Sequence, residues 1–381
     1  MNPAAQNAVD CSPAGALNHA TPKGEDHMSD NVSNDAASPG YCYPEMARGL
    51  ARQFGRDADK STGQGAKALE GLVKTFFPRG FMKGATNSGM SARRLKPEDF
   101  NRSRLLFERN MRKLSNTLWV SSSPYTRTQP GEVSWLATAK ETVDIDDASG
   151  KKSYKQWTFI AGQVIAESRH FAMLMWIVPV IVSEHVIERL YLREAAMDDE
   201  KLKGLLASMV TSAAATMWAL GEIEQAPAGH ADHGDDFDIA VPLPAGGAVM
   251  GGFARSECLM LQMGKLFMVD KNGPAAHIFP NNPLPSRKVV HLRTYMDEAI
   301  LEPEQRPTVA DLRDVFMTHG GFLSEPAVLC CPIPGVAEVL PDGHEEWRLR
   351  LLAAIGSASQ TFNHNGRRRG AGAAQRFAVS A

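Results

Sequence analysis

His185, Arg189 and Arg193 stand four residues apart in the stretch Ser183-Glu184-His185-Val186-Ile187-Glu188-Arg189-Leu190-Tyr191-Leu192-Arg193. A helix turns every 3.6 residues, so in a helix the three would lie close to one face. An imidazole titrates near neutrality, and a guanidinium is a fixed positive fork that fits two phosphate oxygens at once. The set suits a phosphate: one group to carry a proton, two to hold charge. The competing reading is structural, a hydrogen-bonded histidine and two surface arginines paired with Glu184, Glu188 or Glu194. A second set lies further on, at Arg293, Thr294 and Tyr295. Strand alternation puts Arg293 and Tyr295 on one face and Thr294 on the other. If helices pack on that face, the pair turns towards them.

Several elements must position these groups. Ser183 is a good N-cap, and Val186, Ile187 and Leu190 give the helix a side to bury. Residues 171–182 before it read as extended or as a short buried element. Asp198 or Asp199 caps a following long helix that ends near Ile223. After Ala226 the texture changes, and 237–241, 248–253, 265–269 and 289–295 read as strands between Gly, Pro and Asn clusters. Further upstream, 133–145 and 154–164 favour strands around a turn at 146–150, so a hairpin is expected. The fold class is α+β: helices followed by an antiparallel sheet of about four strands, with a helical and hairpin region before it.

A helix of the form H-x-x-x-R-x-x-x-R, then another helix, then an antiparallel sheet whose last strand ends in Thr294-Tyr295, resembles the barnase-EndoU-colicin-RelE class of ribonucleases and toxins. The resemblance covers residues of about 180–305. It implies metal-independent cleavage of RNA, the 2′-hydroxyl attacking the adjacent phosphate. On that resemblance His185 is the acid or base, Arg189 and Arg193 neutralise the phosphate, and Arg293, Thr294 and Tyr295 line the opposite wall. This chain departs from the class in size and in the segment 257–261, which interrupts the sheet.

Other candidates carry different chemistry. His230, Asp232, His233, Asp235, Asp236 and Asp238 are dense enough to hold a divalent ion. They sit in a Gly-containing loop without fixed helical spacing, which a hydrated connector explains as well, so no metal or cofactor is expected. The glycines form no nucleotide-binding fingerprint. A helix starting at Pro97 and running to about Thr117 has Leu105, Leu106, Phe107, Met111, Leu114 and Leu118 as its apolar set. Arg102, Arg104, Arg109, Arg112 and Lys113 decorate the rest, either as a solvated face or as phosphate contacts. Residues 65–77 read as helix. Thr308 is read as the cap of a helix over 303–315, and 347–355 as a packing helix.

Bulk properties bound the rest. The net charge of -2 makes the whole chain no magnet for nucleic acid or membrane. Five irregularly spaced cysteines with no CxxC pair argue against a disulfide framework and for a reducing cytoplasm. No charged-then-apolar leader opens the chain, and no apolar run makes a convincing membrane span. Residues 1–60 are poor in aliphatic side chains, so a disordered arm is expected. The expected organisation continues with 61–165 as the helical and hairpin region, 166–325 as the α+β core, 326–362 as a packing extension and 363–381 as a flexible basic tail. The functional expectation is a cytoplasmic ribonuclease-like or RNA-binding protein. Its rivals are a non-catalytic nucleic-acid-binding or scaffold protein of a mobile element, resting on 76–120 and Arg367-Arg368-Arg369, and a protein with no catalytic site.

Overall fold

The long hairpin expected from residues 133–164 is the centre of the structure. In a computed structural model that describes residues 42–76, 96–147, 150–166, 171–194, 197–219, 239–244, 246–256, 287–319 and 344–363, strands β2 (Gly131–Asp147) and β3 (Gly150–Ala166) pair antiparallel along their whole length. β1 (Thr117–Ser123) flanks β2, and β4 (Phe171–Ser183) flanks β3. The sheet continues through β7 (Arg287–Met296) and β6 (Ala248–Ser256) to β5 (Ile239–Pro242), in the order β1-β2-β3-β4-β7-β6-β5.

The α+β expectation is met, but the sheet has seven strands among the described residues, not about four, and it is mixed. β4 and β7 run parallel over Val180–Val182 and Val290–Leu292, while every other pair is antiparallel. The residues on either side of 165/166 belong to this one sheet, because β3 and β4 are paired neighbours. β1 lies where the basic helix was expected to end, and the 265–269 strand lies outside the described residues.

Alternation gives the sheet two apolar faces. Leu136, Trp157, Phe159, Val180, Val182, Val290 and Leu292 belong to one buried cluster with the first half of α1 (Pro44–Phe76), with α3 (Glu184–Arg193) and with α4 (Asp199–Ala219). Trp135, Ala137, Ile160, Val164, Ile181 and Val289 belong to another with α2 (Pro97–Arg112) and with Leu69 and Leu72 of α1. At the β5 end, Ala240, Ala248 and Met250 pack with α5 (Gln305–Asp314), the π-helical turn Val315–His319 and α6 (His344–Asn363).

Three expectations about the helices need correcting. α1 starts at Pro44, inside the arm expected to be disordered; residues 1–41 lie outside the described set. The buried stripe of its first half is Ala47, Ala51, Phe54 and Ala58; the alanines bring the helix close to the sheet, where Phe54 stacks on Trp157 at 5.0 Å. From Pro44 onward the low aliphatic content goes with close packing of alanines. In α2, Leu105 and Leu106 are exposed, whereas Phe100, Phe107 and Met111 are buried. Thr308 is buried within α5, its hydroxyl 3.3 Å from that of Thr361; Glu304 holds the N-cap position.

Two bulges shape the region around α3. In the β3–β4 pairing Thr158 faces Ile181 and Phe159 faces Val178, so Pro179 and Val180 have no β3 counterpart. A proline, lacking an N–H, fits such an interruption. In the β6–β7 pairing Met250 faces Thr294 and Gly251 faces Leu292, which leaves Arg293 as the extra residue. A Cβ on Gly251 would fall 2.4 Å from the His291 carbonyl oxygen, so the backbones approach too closely there for a larger residue.

Gly162 gives the sharpest test of the core. It pairs with Trp135, whose indole lies where a Cβ would go, 2.1 Å from Cζ2. That ring also packs edge-on against Phe107 at 5.3 Å and has no room to retreat. Gly162→Ala is expected to cost about 2–3 kcal/mol, as overpacked cores do. A denaturant midpoint close to wild type would contradict this packing.

Candidate functional site

α3 forms as its sequence indicates. Ser183, in an extended conformation, caps it by accepting a hydrogen bond from the Val186 N–H at 3.4 Å. Val186, Ile187, Leu190 and Tyr191 are buried. The next helix is capped by Asp198, whose carboxylate accepts from the Lys201 N–H at 2.7 Å.

The helix is tied to β7 at both ends. At its start the Ser183 hydroxyl donates to the Arg293 carbonyl at 2.8 Å. At its finish Arg193 Nη1 donates to the Tyr295 carbonyl at 2.7 Å, and its Nε lies 3.5 Å from Asp297. The Tyr295 hydroxyl donates to Glu194, which also faces Lys201 at 3.6 Å. The bulge at Arg293 makes this arrangement possible. After it, Tyr295 joins Val290 and Leu292 in the helix-facing cluster instead of following the alternation from Arg293.

The six residues singled out by sequence therefore separate into groups. His185 is exposed and Arg189 half-buried; Arg189 Nε donates to His185 Nε2 at 3.2 Å. Arg189 has no carboxylate partner among the described residues. Partial burial of the ring, reinforced by the charges of Arg189 and Arg193, holds His185 below the usual histidine range. Its imidazole is thus mainly neutral at pH 7. Arg193 and Tyr295 act inside the protein as anchors, Tyr295 being 1% exposed. Arg293 touches α3 through its carbonyl, and Thr294 pairs with Met250.

Next to His185, Glu184 is held by Lys140 from β2 and faces Lys155 from β3 at 3.7 Å. Lys140 also lies 5.9 Å from the Trp157 ring centroid. Two cations thus converge on one carboxylate at the start of α3. Tyr191 donates to Asp199 at 2.9 Å and accepts at its carbonyl the Cys42 thiol, which joins α1 to α3.

Sequence reasoning named Glu194 only as a partner for the arginines, whereas it meets Tyr295 and Lys201, and it missed Asp297, which lacks a distinguishing motif. It also missed Arg48, Arg52 and Arg56 on α1, all exposed and without a carboxylate partner among the described residues. Their i, i+4, i+8 spacing was readable, being the spacing that drew notice to α3. The 230–238 candidate lies outside the described residues. Among those described, no three His, Cys, Asp or Glu side chains form a metal set, and no helix is long and apolar enough to cross a membrane.

No protein-family model matches the chain, and no curated protein or solved structure matches it. The likeness of 180–305 to the ribonuclease class accordingly rests on the residues quoted for it.

The tyrosine anchors carry a pH signature. Burial, then hydrogen bonds to Glu194 and Asp199, push the Tyr295 and Tyr191 hydroxyls far above the usual tyrosine value. The unfolded chain ionises near pH 10 while the folded one keeps both protons, so stability is full below that pH and falls as pH rises through it. Tyr295→Phe should cost about 1–2 kcal/mol at pH 7. It should also flatten the loss of stability between pH 9 and pH 11. A variant with the full wild-type alkaline slope would contradict the anchoring role.

Proposed function

We propose that this chain is a cytoplasmic, ribonuclease-like protein that binds the phosphodiester backbone of RNA, with His185 and Arg189 meeting the phosphate. One observation carries the reading. A mainly neutral imidazole touches an arginine that has no carboxylate partner among the described residues, on the outer side of a helix fixed at both ends. His185 Nε2, the unprotonated nitrogen of the neutral ring, can take the proton of a 2′-hydroxyl once Arg189 turns from it to the phosphate. As the 2′-oxygen bonds to phosphorus, the P–O5′ bond breaks and the 5′-oxygen leaves with a proton from the imidazolium or from water, giving a 2′,3′-cyclic phosphate, while the guanidinium of Arg189 neutralises the charge that grows on the phosphate. The chemistry requires no metal.

In this arrangement Arg193 does not bind substrate. Its bonds to Tyr295 and Asp297 set the end of α3 and so the direction of Arg189. Arg293 and Ser183 set the other end. Rigid support of this kind lets a charged group act on a transition state without first reorganising.

A second reading, RNA binding without cleavage, is favoured by the same anchors. Arg193 and Tyr295 spend their polar groups on internal contacts, which leaves the proton transfer to His185.

Kinetics separate the two. Arg189→Ala is expected to lower cleavage about 100-fold. His185→Ala should abolish cleavage while sparing RNA binding. Because the base is the neutral form and its titration lies below the usual value near 6.5, the acid limb of kcat/KM should fall below pH 6.5. RNA binding without turnover in wild type selects the second reading. Cleavage that survives His185→Ala defeats the first.

A further inference from the structure

We infer that Arg48, Arg52 and Arg56 of α1, a helix packed in the same cluster as α3, form a track for successive phosphates of an RNA strand. The inference rests on the RNA-binding reading and extends it to a second element. α1 and α3 lie on the same sheet face and are joined by the bond from Cys42 to the Tyr191 carbonyl. The three arginines recur every fourth residue. Each step therefore advances about 6 Å along the helix axis and turns only about 40° around it, giving a row about 12 Å long. A single strand presents its charges in a similar regular row.

The surroundings favour a polyanion. Of the three acids in this part of α1, Glu45 stands in the first turn, Asp57 pairs with Lys60 at 3.2 Å, and Asp59 has a contact of its own. On the α3 side Glu184 is already held by Lys140, with Lys155 close by, and Glu188 is the remaining carboxylate. Gly49 and Gln53 are exposed between the arginines, and no large hydrophobic side chain from Arg48 to Arg56 is exposed. Tyr43 and Met46 are exposed at the start of α1, before the row, so a lipid surface or an acidic amphipathic helix would find apolar contact at that end and none between the arginines. α2 is different, since Leu105 and Leu106 lie exposed among its arginines. Regular charge without apolar surface is the pattern of sequence-independent backbone binding.

The test is the salt dependence of binding of the full chain to a 20-nucleotide oligo-uridine. Its arms are wild type, Arg48→Gln/Arg52→Gln/Arg56→Gln, the corresponding triple lysine variant, and Arg189→Gln. Each phosphate contact with a single strand contributes about 0.7 to the slope of log affinity against log salt. The glutamine triple should lose about 2 from that slope. Raising salt from 50 to 200 mM should then cost wild type about 20-fold more affinity than the triple. The lysine triple should keep the wild-type slope.

Near-ultraviolet circular dichroism checks that the variants stay folded. A glutamine triple with the wild-type slope overturns the track, while loss of binding in Arg189→Gln would leave the α3 reading standing. Wild type that binds no RNA overturns both. Arginine-dependent binding to phosphatidylserine vesicles without RNA binding overturns the track in favour of a membrane surface.

Discussion

The contact between Tyr295 and the end of α3 governs the geometry of the exposed pair. Tyr295 comes from the last paired strand of the sheet, yet it supplies both a carbonyl to Arg193 and a hydroxyl to Glu194. The helix carrying His185 and Arg189 is fixed by that double attachment and by Ser183 at its other end. It depends in turn on one extra residue, Arg293, in β7. Without the bulge, strict alternation would turn Tyr295 to the opposite face from Leu292.

The charge distribution follows a division of labour. Arg193 lies against Asp297, both largely buried, where removing one partner leaves a charge poorly solvated. Arg189 and the arginines of α1 lack such partners among the described residues. Summed net charge conceals this difference, because it counts an internal ion pair and an exposed cation alike. A chain of net charge -2 can still present local cationic surface.

Much of the local structure was legible. Ser183 marks the start of α3, Asp198 that of α4, and the alternation of 133–164 gives the hairpin, because caps and period-2 patterns act within a few residues. Less legible were features set by distant partners. The alanine stripe of α1 gains meaning only against Trp157, and its low aliphatic content looks like that of a chain with no core. Leu114 and Leu118 continue the helical period of α2, although the chain has turned into β1 by Thr117. The parallel pairing of β4 with β7 joins residues more than a hundred positions apart. At the candidate site, sequence grouped His185, Arg189 and Arg193 correctly on one helix. It had no means of showing that Arg193 and Tyr295 would use their polar groups on each other's segments.

If His185 and Arg189 together face a phosphate, the His185 ring reports it directly in its titration by nuclear magnetic resonance. In the free protein the ring should titrate below pH 6.5, and Arg189→Ala should move it upward by removing a nearby positive charge. A short, uncleavable 2′-deoxy oligonucleotide should raise it as well, because a phosphate beside the imidazole favours its charged form. A His185 titration unmoved by the oligonucleotide, under conditions where binding is saturated, would contradict the account.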